Sequence, residues 1–340
     1  MRYTLTIPGL TMFPGLGGQP DWAKDLTPDH IRIIAERAEA RGFSHLIIPW
    51  HMAMPRDEFA TNMGARWPHS IAAAGMLLGA TRTITVAPLV VAPCHQPIEL
   101  AKALVTLDWM SGGRCLPVIL SGYVQWEFEV LGADYENRDA VTDDVVEALL
   151  TLWGDASPRY DGQFVKVPDM VFEPKPRLGR IPMWFGGRTK RALRRMAKYG
   201  DGWMSYATAA ADIPAAVDYI RAQPGAAERP MDIFCYFVDP THDPVSHKET
   251  VRPDFPVGDA AIIERAKFLA DCRIDVTTTP LDSYAEKGVL KPSRSFEEYL
   301  ERLDWFGQEI IPKTRAFGEA ARAASAGVQK KAPSNEENAL

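Results

Sequence analysis

The segment Gly186-Gly187-Arg188-Thr189 lies between an apolar run, residues 181–185, and a strongly basic helical stretch. Glycine has no Cβ, so the Gly-Gly pair lets the backbone turn tightly with its N–H groups accessible. Thr189 begins a helix, whose first N–H groups lack intrahelical acceptors and lie at the positive end of the helix dipole. Together with the charge of Arg188, these features predict a phosphate site. The alternative is an ordinary strand–turn–helix junction with a solvated basic face.

Further aromatic and apolar side chains are expected at the mouth formed by the C-terminal ends of the predicted strands: Trp50, Met52, Tyr123, Trp126, Trp184 and Tyr206. An aromatic cavity with one anion-binding corner suits a flat, phosphorylated cofactor. Glu127 and Asp239 lie in different loops and form no evident carboxylate pair, which argues against a glycosidase. His51, His95 and His242 show no readable metal-ligand spacing with Asp239, so no metal site is predicted.

The composition is that of an ordinary globular protein, with 340 residues, 46% hydrophobic and 24% charged, and a formal net charge of −6. That length supports one large domain or two medium ones with a substantial core. The mildly acidic balance argues against nucleic acid or an anionic membrane as the main partner. Four widely spaced cysteines without a C-x-x-C pair favour a reducing compartment. We find no signal region and no apolar run near the ~20 residues of a membrane span, and therefore expect a cytoplasmic protein.

Short apolar strands alternate with helical stretches along most of the chain. The eight predicted strands are residues 2–7, 44–49, 83–90, 115–120, 181–185, 202–206, 231–238 and 274–278. Eight strand–helix units in about 315 residues favour a closed parallel α/β barrel, a (β/α)8 TIM barrel, over an open doubly wound sheet. The open sheet would be expected to carry G-x-G-x-x-G before a helix after its first strand, and that arrangement is missing here.

Three features interrupt this alternation. Residues 159–176 predict a small β-hairpin insertion with Asp161-Gly162 as its turn. Long loops at 8–25, 54–67 and 242–256 predict insertions that form a lid at the C-terminal face of the barrel, where the chemistry of such barrels is located. We expect residues 1–315 to form a single barrel domain and the polar tail, residues 316–340, to be disordered.

Several motifs, in their order and spacing, resemble those of the bacterial-luciferase-like flavin-dependent oxidoreductases. They are TITVAPLVVAPCHQPIELAKALVTLDWMSGGR from residue 83, SGYVQWEFEVLGADYENRDAVTDDVVEALLTLW from 121, YDGQFVKVPDMVFEPKP from 160 and IPMWFGGRTKRALRRMAKYGDGW from 181. The stretch AERAEARGFSHLIIPWH, from residue 35, is also similar to the first helix and second strand of that family. The resemblance covers residues 30–210.

The resemblance implies a barrel, usually dimeric, that holds reduced FMN or a deazaflavin coenzyme in its mouth. The cofactor-binding residues it implies are Ala87, Pro88, Ser121, Gly122, Tyr123, Gly186, Gly187, Arg188 and Thr189. His51 stands where many members have a histidine beside the flavin ring, which implies a proton donor or acceptor; the alternative is a histidine that only lines the cavity. The expected substrate pocket contains Trp50, Met52, His95, Trp126 and Tyr206, although His95 could instead cap the third helix.

The chain departs from the family pattern around these residues. Trp50 precedes His51 where relatives often have an acidic residue, so the charge that would orient the imidazole is missing. Leu120 replaces a glycine that lets the cofactor approach in deazaflavin-using relatives, and Tyr123 stands where some of them place a glutamate. The non-proline cis peptide of many members corresponds to Ala87–Pro88, for which we predict a cis bond because proline lowers its cost.

The main functional hypothesis is a luciferase-like monooxygenase. Reduced FMN, supplied by a separate flavin reductase, would react with O2 and lead to oxidation of a small apolar organic substrate. The alternative is a reductase that transfers hydride from a deazaflavin coenzyme. A non-catalytic flavin-binding barrel is a second alternative, and the resemblance further implies a homodimer.

Overall fold

The computed structural model describes residues 1–10, 21–56, 66–227, 229–238, 256–281, 285–286, 289–290 and 293–326. Its barrel strands are β1 Arg2–Leu5, β2 His45–Ile48, β3 Thr85–Val91, β4 Val118–Leu120, β7 Trp184–Gly186, β8 Gly202–Met204, β9 Asp232–Cys235 and β10 Val276–Thr278. They form a closed barrel in the order β1-β2-β3-β4-β7-β8-β9-β10, and β10 pairs with β1. All eight neighbouring pairs are parallel, which confirms the predicted (β/α)8 barrel.

The helices connect these strands around the outside of the barrel. They are α1 Pro28–Ala40, α2 Ser70–Ala80, α3 Pro97–Ser111, α4 Gln125–Leu131, α5 Arg138–Gly154, α6 Lys190–Tyr199, α7 Ile213–Arg221, α8 Asp259–Asp271, α9 Phe296–Trp305 and α10 Ile311–Ala326. The short helix α4, which follows β4, was not predicted from the sequence.

Local sequence signals set the bounds of the first helix. Thr27 accepts a hydrogen bond from the His30 amide as the N-cap of α1, and Pro28 occupies the first helical position, where its missing N–H has no cost. Gly42 adopts φ +82° just beyond the helix, a backbone conformation that glycine adopts without strain. These signals determine where α1 begins and ends.

One compact apolar layer fills the inside of the barrel: Ile47, Ala87, Leu116, Val118, Trp184, Met204, Phe234 and Val276. The ring of Trp184 lies 4.9 Å from that of the buried His45. The sequence analysis placed Trp184 at the mouth, and that prediction is wrong. Trp184 is the first residue of β7, two positions below the C-terminal end of the strand, so its side chain belongs to the layer beneath the mouth.

The Ala87–Pro88 peptide bond is trans. Among the described residues, the cis peptide bond is the one at Glu173–Pro174. The cis prediction is therefore wrong. Ala87 and Pro88 lie opposite Ile47 and Ile48 in the parallel ladder. A trans bond keeps β3 extended over its seven residues, so both residues remain buried parts of the barrel wall.

The predicted hairpin is present. β5 (Tyr160–Asp161) and β6 (Lys166–Val167) pair antiparallel, and the Gly162 amide donates to the Val165 carbonyl at 3.0 Å. A further two-stranded antiparallel ladder, β11 (Ala285–Glu286) with β12 (Val289–Leu290), was not predicted.

The carboxyl-terminal helix extends past the predicted domain limit at residue 315. A π-helical turn, Phe306–Ile310, joins α9 to α10, which continues to Ala326. Ser325 is buried, and its hydroxyl donates to the Arg273 carbonyl at 3.3 Å. The end of α10 thus packs against the bottom of the barrel.

Parts of the predicted lid lie outside the described residues, namely 11–20, 57–65 and 239–255, which include Asp239 and His242. Residues 327–340 of the predicted tail also lie outside them. None of the described helices has the length and apolarity needed to cross a bilayer.

Candidate active site

A histidine and a carboxylate are in direct contact at the C-terminal face of the barrel. His51 follows β2, and its Nδ1 lies 2.8 Å from Oε2 of Glu127, 76 positions later in the chain. Both side chains are buried, with Glu127 only 2% exposed. The other carboxylate oxygen of Glu127 accepts from the amide of Met52 at 2.8 Å and from that of Ala53 at 3.4 Å. Glu127 thus holds both the imidazole and the backbone that carries it.

This contact corrects the expectation that His51 lacks an acidic partner. The carboxylate comes from the first turn of α4 and not from the residue before the histidine. A carboxylate acceptor at Nδ1 orients the ring and leaves Nε2, on the opposite side, for proton exchange. Trp67 and Tyr123 flank the imidazole, with ring centroids 4.6 and 6.0 Å from it.

The corner that was predicted to bind phosphate comprises the first turn of α6. The Thr189 hydroxyl accepts from the Ala192 amide at 3.2 Å as the N-cap of the helix. The amides of Lys190 and Arg191 have no acceptor within the described part of the chain. Arg188 is exposed, and its Nη1 donates to the Ala207 carbonyl at 3.3 Å. Unpaired amides, a helix dipole and a guanidinium meet here, as an anion requires.

The two glycines of this corner are needed for packing. A Cβ on Gly186 would lie 2.2 Å from Cδ2 of Leu120, and one on Gly187 would lie 2.9 Å from Cβ of Ala192. Gly187 also has φ +111°, which side chains rarely tolerate. The glycines therefore bring β4 and the start of α6 close to the turn, and the backbone amides remain available to a ligand.

A buried arginine links this corner to the end of β4. Arg195 of α6 donates to the Ser121 hydroxyl at 2.9 Å and to the Asp139 carbonyl at 2.7 Å, and it forms ion pairs with Asp139 and Asp143. Ser121 in turn donates to the Asp139 carboxylate at 2.8 Å. Ser121 was predicted to bind the cofactor, and its hydroxyl is part of this internal network. Sequence analysis missed Arg195, which appeared only as one charge of a basic helix.

Three tyrosines line the mouth beside this corner. The rings of Tyr123 and Tyr206 are stacked at 6.2 Å and 24°, and Tyr236 contacts Tyr206 at 6.4 Å. Burial raises the pKa of Tyr206, although Tyr123 and the charge of Arg188 oppose the shift. Tyr206 is therefore a neutral hydroxyl near neutral pH. Arg188 donates to the carbonyl of Ala207, the residue after Tyr206, so the tyrosines and this corner are close together.

Gly122 follows Ser121 with φ +81°, and a Cβ there would lie 2.7 Å from both Phe128 and Val91. Its predicted role in cofactor binding becomes one of shape: it lets the loop after β4 turn over the start of α4. Tyr123, the next residue, is 41% exposed and reaches the mouth.

The predicted substrate residues separate into two groups. Trp50 is buried with Val91 and Phe128, and Met52 packs partly against them. His95 lies beside Trp50, with ring centroids 6.1 Å apart. It does not cap α3, since Gln96 does so by accepting from the Glu99 amide. Trp126 is half-buried on α4, and Tyr206 lies on the other side, by the phosphate corner.

The residues present fit a phosphorylated flavin. The donors at 188–191 match a phosphate group, and Tyr123, Tyr206 and the His51–Glu127 pair offer aromatic surface and a proton-exchanging group on the same barrel face. Among the described residues, no group of three His, Cys, Asp or Glu side chains could hold a metal ion.

The fold is a (β/α)8 barrel, and this face brings amide donors, a guanidinium and aromatic side chains together at the C-terminal ends of its strands. The pattern of the family described as luciferase-like monooxygenase matches residues 10–242. The chain belongs to that family, which confirms the resemblance seen in the sequence and the expectation of an enzyme of this class.

Curated relatives include an FMNH(2)-dependent dimethylsulfone monooxygenase from Pseudomonas fluorescens, 29% identical over 202 residues, or 58% of this chain and 53% of the relative. A 5,10-methylenetetrahydromethanopterin reductase from Archaeoglobus fulgidus is 31% identical over 155 residues, 45% of this chain and 46% of that protein. The matched region thus spans about half the length of these relatives.

Solved structures share the whole fold at low sequence identity. An F420-dependent secondary alcohol dehydrogenase in complex with an F420-acetone adduct matches with a TM-score of 0.66 and 17% identity, over 93% of this chain and 100% of the other. The monooxygenase RslO1 from Streptomyces bottropensis matches with a TM-score of 0.63 and 14% identity, over 92% of this chain and 99% of the other. These matches support the barrel architecture.

Proposed function

We propose that this protein is a flavin-dependent monooxygenase that uses reduced FMN and O2 to oxidise a small, apolar organic substrate. The observation that carries the proposal is the first turn of α6, where Arg188 and the unpaired amides of Lys190 and Arg191 form an anion site at the C-terminal end of β7. The matched FMNH(2)-dependent relatives support the choice of FMN. When bound, reduced flavin supplies the electrons for oxygen activation.

The protein's own residues would then perform five tasks. Arg188 and the helix amides bind the phosphate, while Tyr123 and Tyr206 cover the aromatic ring system and exclude water. His51, held through Nδ1 by Glu127, exchanges a proton at Nε2 beside the reacting centre. Ser121, fixed by Arg195, keeps the loop after β4 in position for the cofactor. Ala87 and Pro88 would support the cofactor from within the barrel wall.

A deazaflavin coenzyme is the alternative, favoured by F420-dependent proteins of the same fold. Leu120 argues against a deazaflavin. Its side chain fills the space next to Gly186, whereas deazaflavin-using relatives have a glycine in place of Leu120. Because deazaflavin does not activate O2, the two functions differ in their need for oxygen.

We further propose a homodimer and a separate reductase as the source of reduced FMN. The dimer is supported by exposed apolar side chains on neighbouring helices: Met76 on α2, and Trp109 and Met110 on α3, which are 62% and 75% exposed. Sedimentation of the Trp109→Glu variant against the natural chain tests it, with a shift to monomer expected. The cytoplasmic location stays a prediction from the sequence.

The first experiment is a binding titration of FMN, reduced FMN and deazaflavin coenzyme against the protein. Arg188→Ala is expected to weaken FMN binding at least tenfold, because it removes a charge-assisted contact with the phosphate. Arg194→Ala is the matched control: Arg194 is exposed on the same helix, and its guanidinium donates to the Tyr219 hydroxyl. Equal losses in both variants would contradict the phosphate assignment.

The second experiment measures oxygen consumption with FMN, a flavin reductase and candidate substrates. Substrate-dependent oxygen uptake and an oxygenated product are expected. Oxidation of reduced deazaflavin under nitrogen, without oxygen uptake in the FMN assay, would assign the hydride-transfer alternative. Tight FMN binding with neither reaction would assign the non-catalytic barrel.

A further inference from the structure

Two buried polar atoms at the catalytic face have no hydrogen-bond partner among the described residues. They are Nε1 of Trp50 and Nε2 of His95. Trp50 is only 5% exposed, and the two rings lie edge to face, with centroids 6.1 Å apart and planes at 61°. Buried polar groups in folded proteins are nearly always paired, so an adjacent unpaired couple requires an explanation.

Their position points to the substrate. Trp50 follows β2 directly before His51, and the two rings are 6.3 Å apart. Val91 and Phe128 pack against Trp50 and give this corner an apolar wall. A molecule seated here would be next to the histidine that the proposed function assigns to proton exchange. The phosphate corner, by contrast, is formed by β7 and α6.

The chemistry of the two atoms restricts what they can bind. The indole Nε1 can only donate, so its ligand must present an acceptor. Burial, and then the neighbouring His69, lower the pKa of His95 to about 4, so its imidazole is neutral near pH 7 and carries no charge to attract an anion.

The charge nearby also disfavours an anion. The carboxylate of Glu127 is hydrogen-bonded to His51. Burial, and then the charge of Glu127, raise the pKa of the Cys94 thiol. An anionic headgroup at this corner would meet a carboxylate and an apolar wall. An uncharged oxygen acceptor would meet neither penalty and would satisfy the indole N–H.

We propose that Trp50 and His95 form a subsite that binds an uncharged oxygen acceptor of the substrate, of the sulfone, sulfoxide or ketone class, and excludes anionic sulfonates. This inference rests on the proposed function, since it describes the substrate of that site. It assigns Trp50 and His95 to substrate selection, distinct from the proton exchange of His51.

The test follows the indole N–H resonances of ¹⁵N-tryptophan-labelled protein, without flavin, during titration with sulfolane, cyclopentanone or methanesulfonate. The Trp50 resonance, identified by its loss in Trp50→Phe, is expected to shift saturably with the two neutral probes and not with methanesulfonate. Trp50→Phe and His95→Phe should each weaken sulfolane binding about tenfold, the usual worth of one buried hydrogen bond. Trp305→Phe, at the C-terminal end of α9 beside Phe306, is the control and should bind as the natural chain does.

Three results would overturn the subsite: methanesulfonate bound as tightly as sulfolane, unchanged sulfolane affinity in Trp50→Phe, or no saturable shift at Trp50 with either neutral probe. The oxygen-consumption assay separates this failure from that of the proposed function. Flavin-dependent oxygen uptake with a negative titration rejects the subsite alone. A positive titration without oxygen uptake keeps the subsite and rejects the monooxygenase.

Discussion

Leu120 and Gly186 are complementary in shape across two neighbouring strands. β4 and β7 pair in parallel. A Cβ on residue 186 would lie only 2.2 Å from Cδ2 of Leu120. The bulk of Leu120, which departs from the glycine expected there, is thus accommodated by the absence of a side chain on the adjacent strand. The pair closes the barrel wall directly below the phosphate corner.

The first prediction concerns this pair. Gly186→Ala should lower the free energy of unfolding by about 1–3 kcal/mol, because the new methyl group overlaps Leu120 in a packed wall. Leu120→Ala should relieve that overlap, so the double variant loses less than the sum of the single losses. Urea unfolding measures all four proteins. Gly79→Ala, whose new Cβ would contact nothing within 4 Å, is the control; an additive double variant would contradict the prediction.

The second prediction concerns Glu127. Glu127→Gln keeps an oxygen for the Met52 amide but removes the carboxylate that orients His51. Turnover should fall about 10- to 100-fold, and His51→Ala at least as much, as expected for an oriented proton-transfer group. The double variant should be no slower than His51→Ala, because Glu127 acts through the imidazole.

Steady-state kinetics with a saturating supply of reduced FMN measure these effects. Glu129→Gln is the control, since Glu129 is exposed on the same helix and its carboxylate accepts a hydrogen bond from the Gln125 side chain. Full turnover in Glu127→Gln together with a loss in His51→Ala would show that the carboxylate is not needed for the histidine's role.

The third prediction concerns Arg195, whose side chain is 2% exposed. Arg195→Met should cost about 2–4 kcal/mol of stability, because it removes charge-assisted hydrogen bonds to Ser121, Asp139 and Asp143. Weaker FMN binding should accompany it, as the loop after β4 loses its anchor to α6. The exposed neighbour Arg194→Met should change stability by less than about 0.5 kcal/mol. Chemical unfolding and FMN titration of both variants provide the measurement, and equal stabilities would contradict it.

The fourth prediction concerns pH. Burial, and then the charge of Arg2, lower the pKa of His45 to about 4 from its ordinary value of 6.5. Between these values the unfolded chain binds a proton that the native chain does not, so stability falls as pH decreases from about 6.5 towards 4. One such group contributes a slope of up to about 1.4 kcal/mol per pH unit.

His45→Gln removes this group. The natural chain should therefore lose more stability than the variant as pH falls. Urea unfolding of both proteins between pH 7 and 4.5 measures that difference, and carboxylates common to both cancel. A difference that is constant over this range would mean that His45 titrates in the native state as it does in the unfolded chain.

The sequence alone was sufficient for the features that depend on neighbours along the chain. Alternating apolar strands and helices predicted the barrel, since parallel strands need helical crossovers. Thr189 and the preceding glycines predicted the cap and turn at the start of α6, because capping involves a side chain and an amide three positions apart. The hairpin at Asp161-Gly162 and the cap at Thr27 belong to the same kind of local signal.

Only the tertiary structure decided which residues meet at the mouth. Closure of the barrel brings α4 next to the end of β2, and that contact gives His51 its carboxylate from a residue 76 positions away. The same closure buries Trp50 beside His95 and seats Leu120 on Gly186. Such contacts depend on strand register and helix placement, which no spacing along the chain encodes. The elements are therefore products of local preference, whereas the chemistry of the site results from the way the closed barrel brings their ends together.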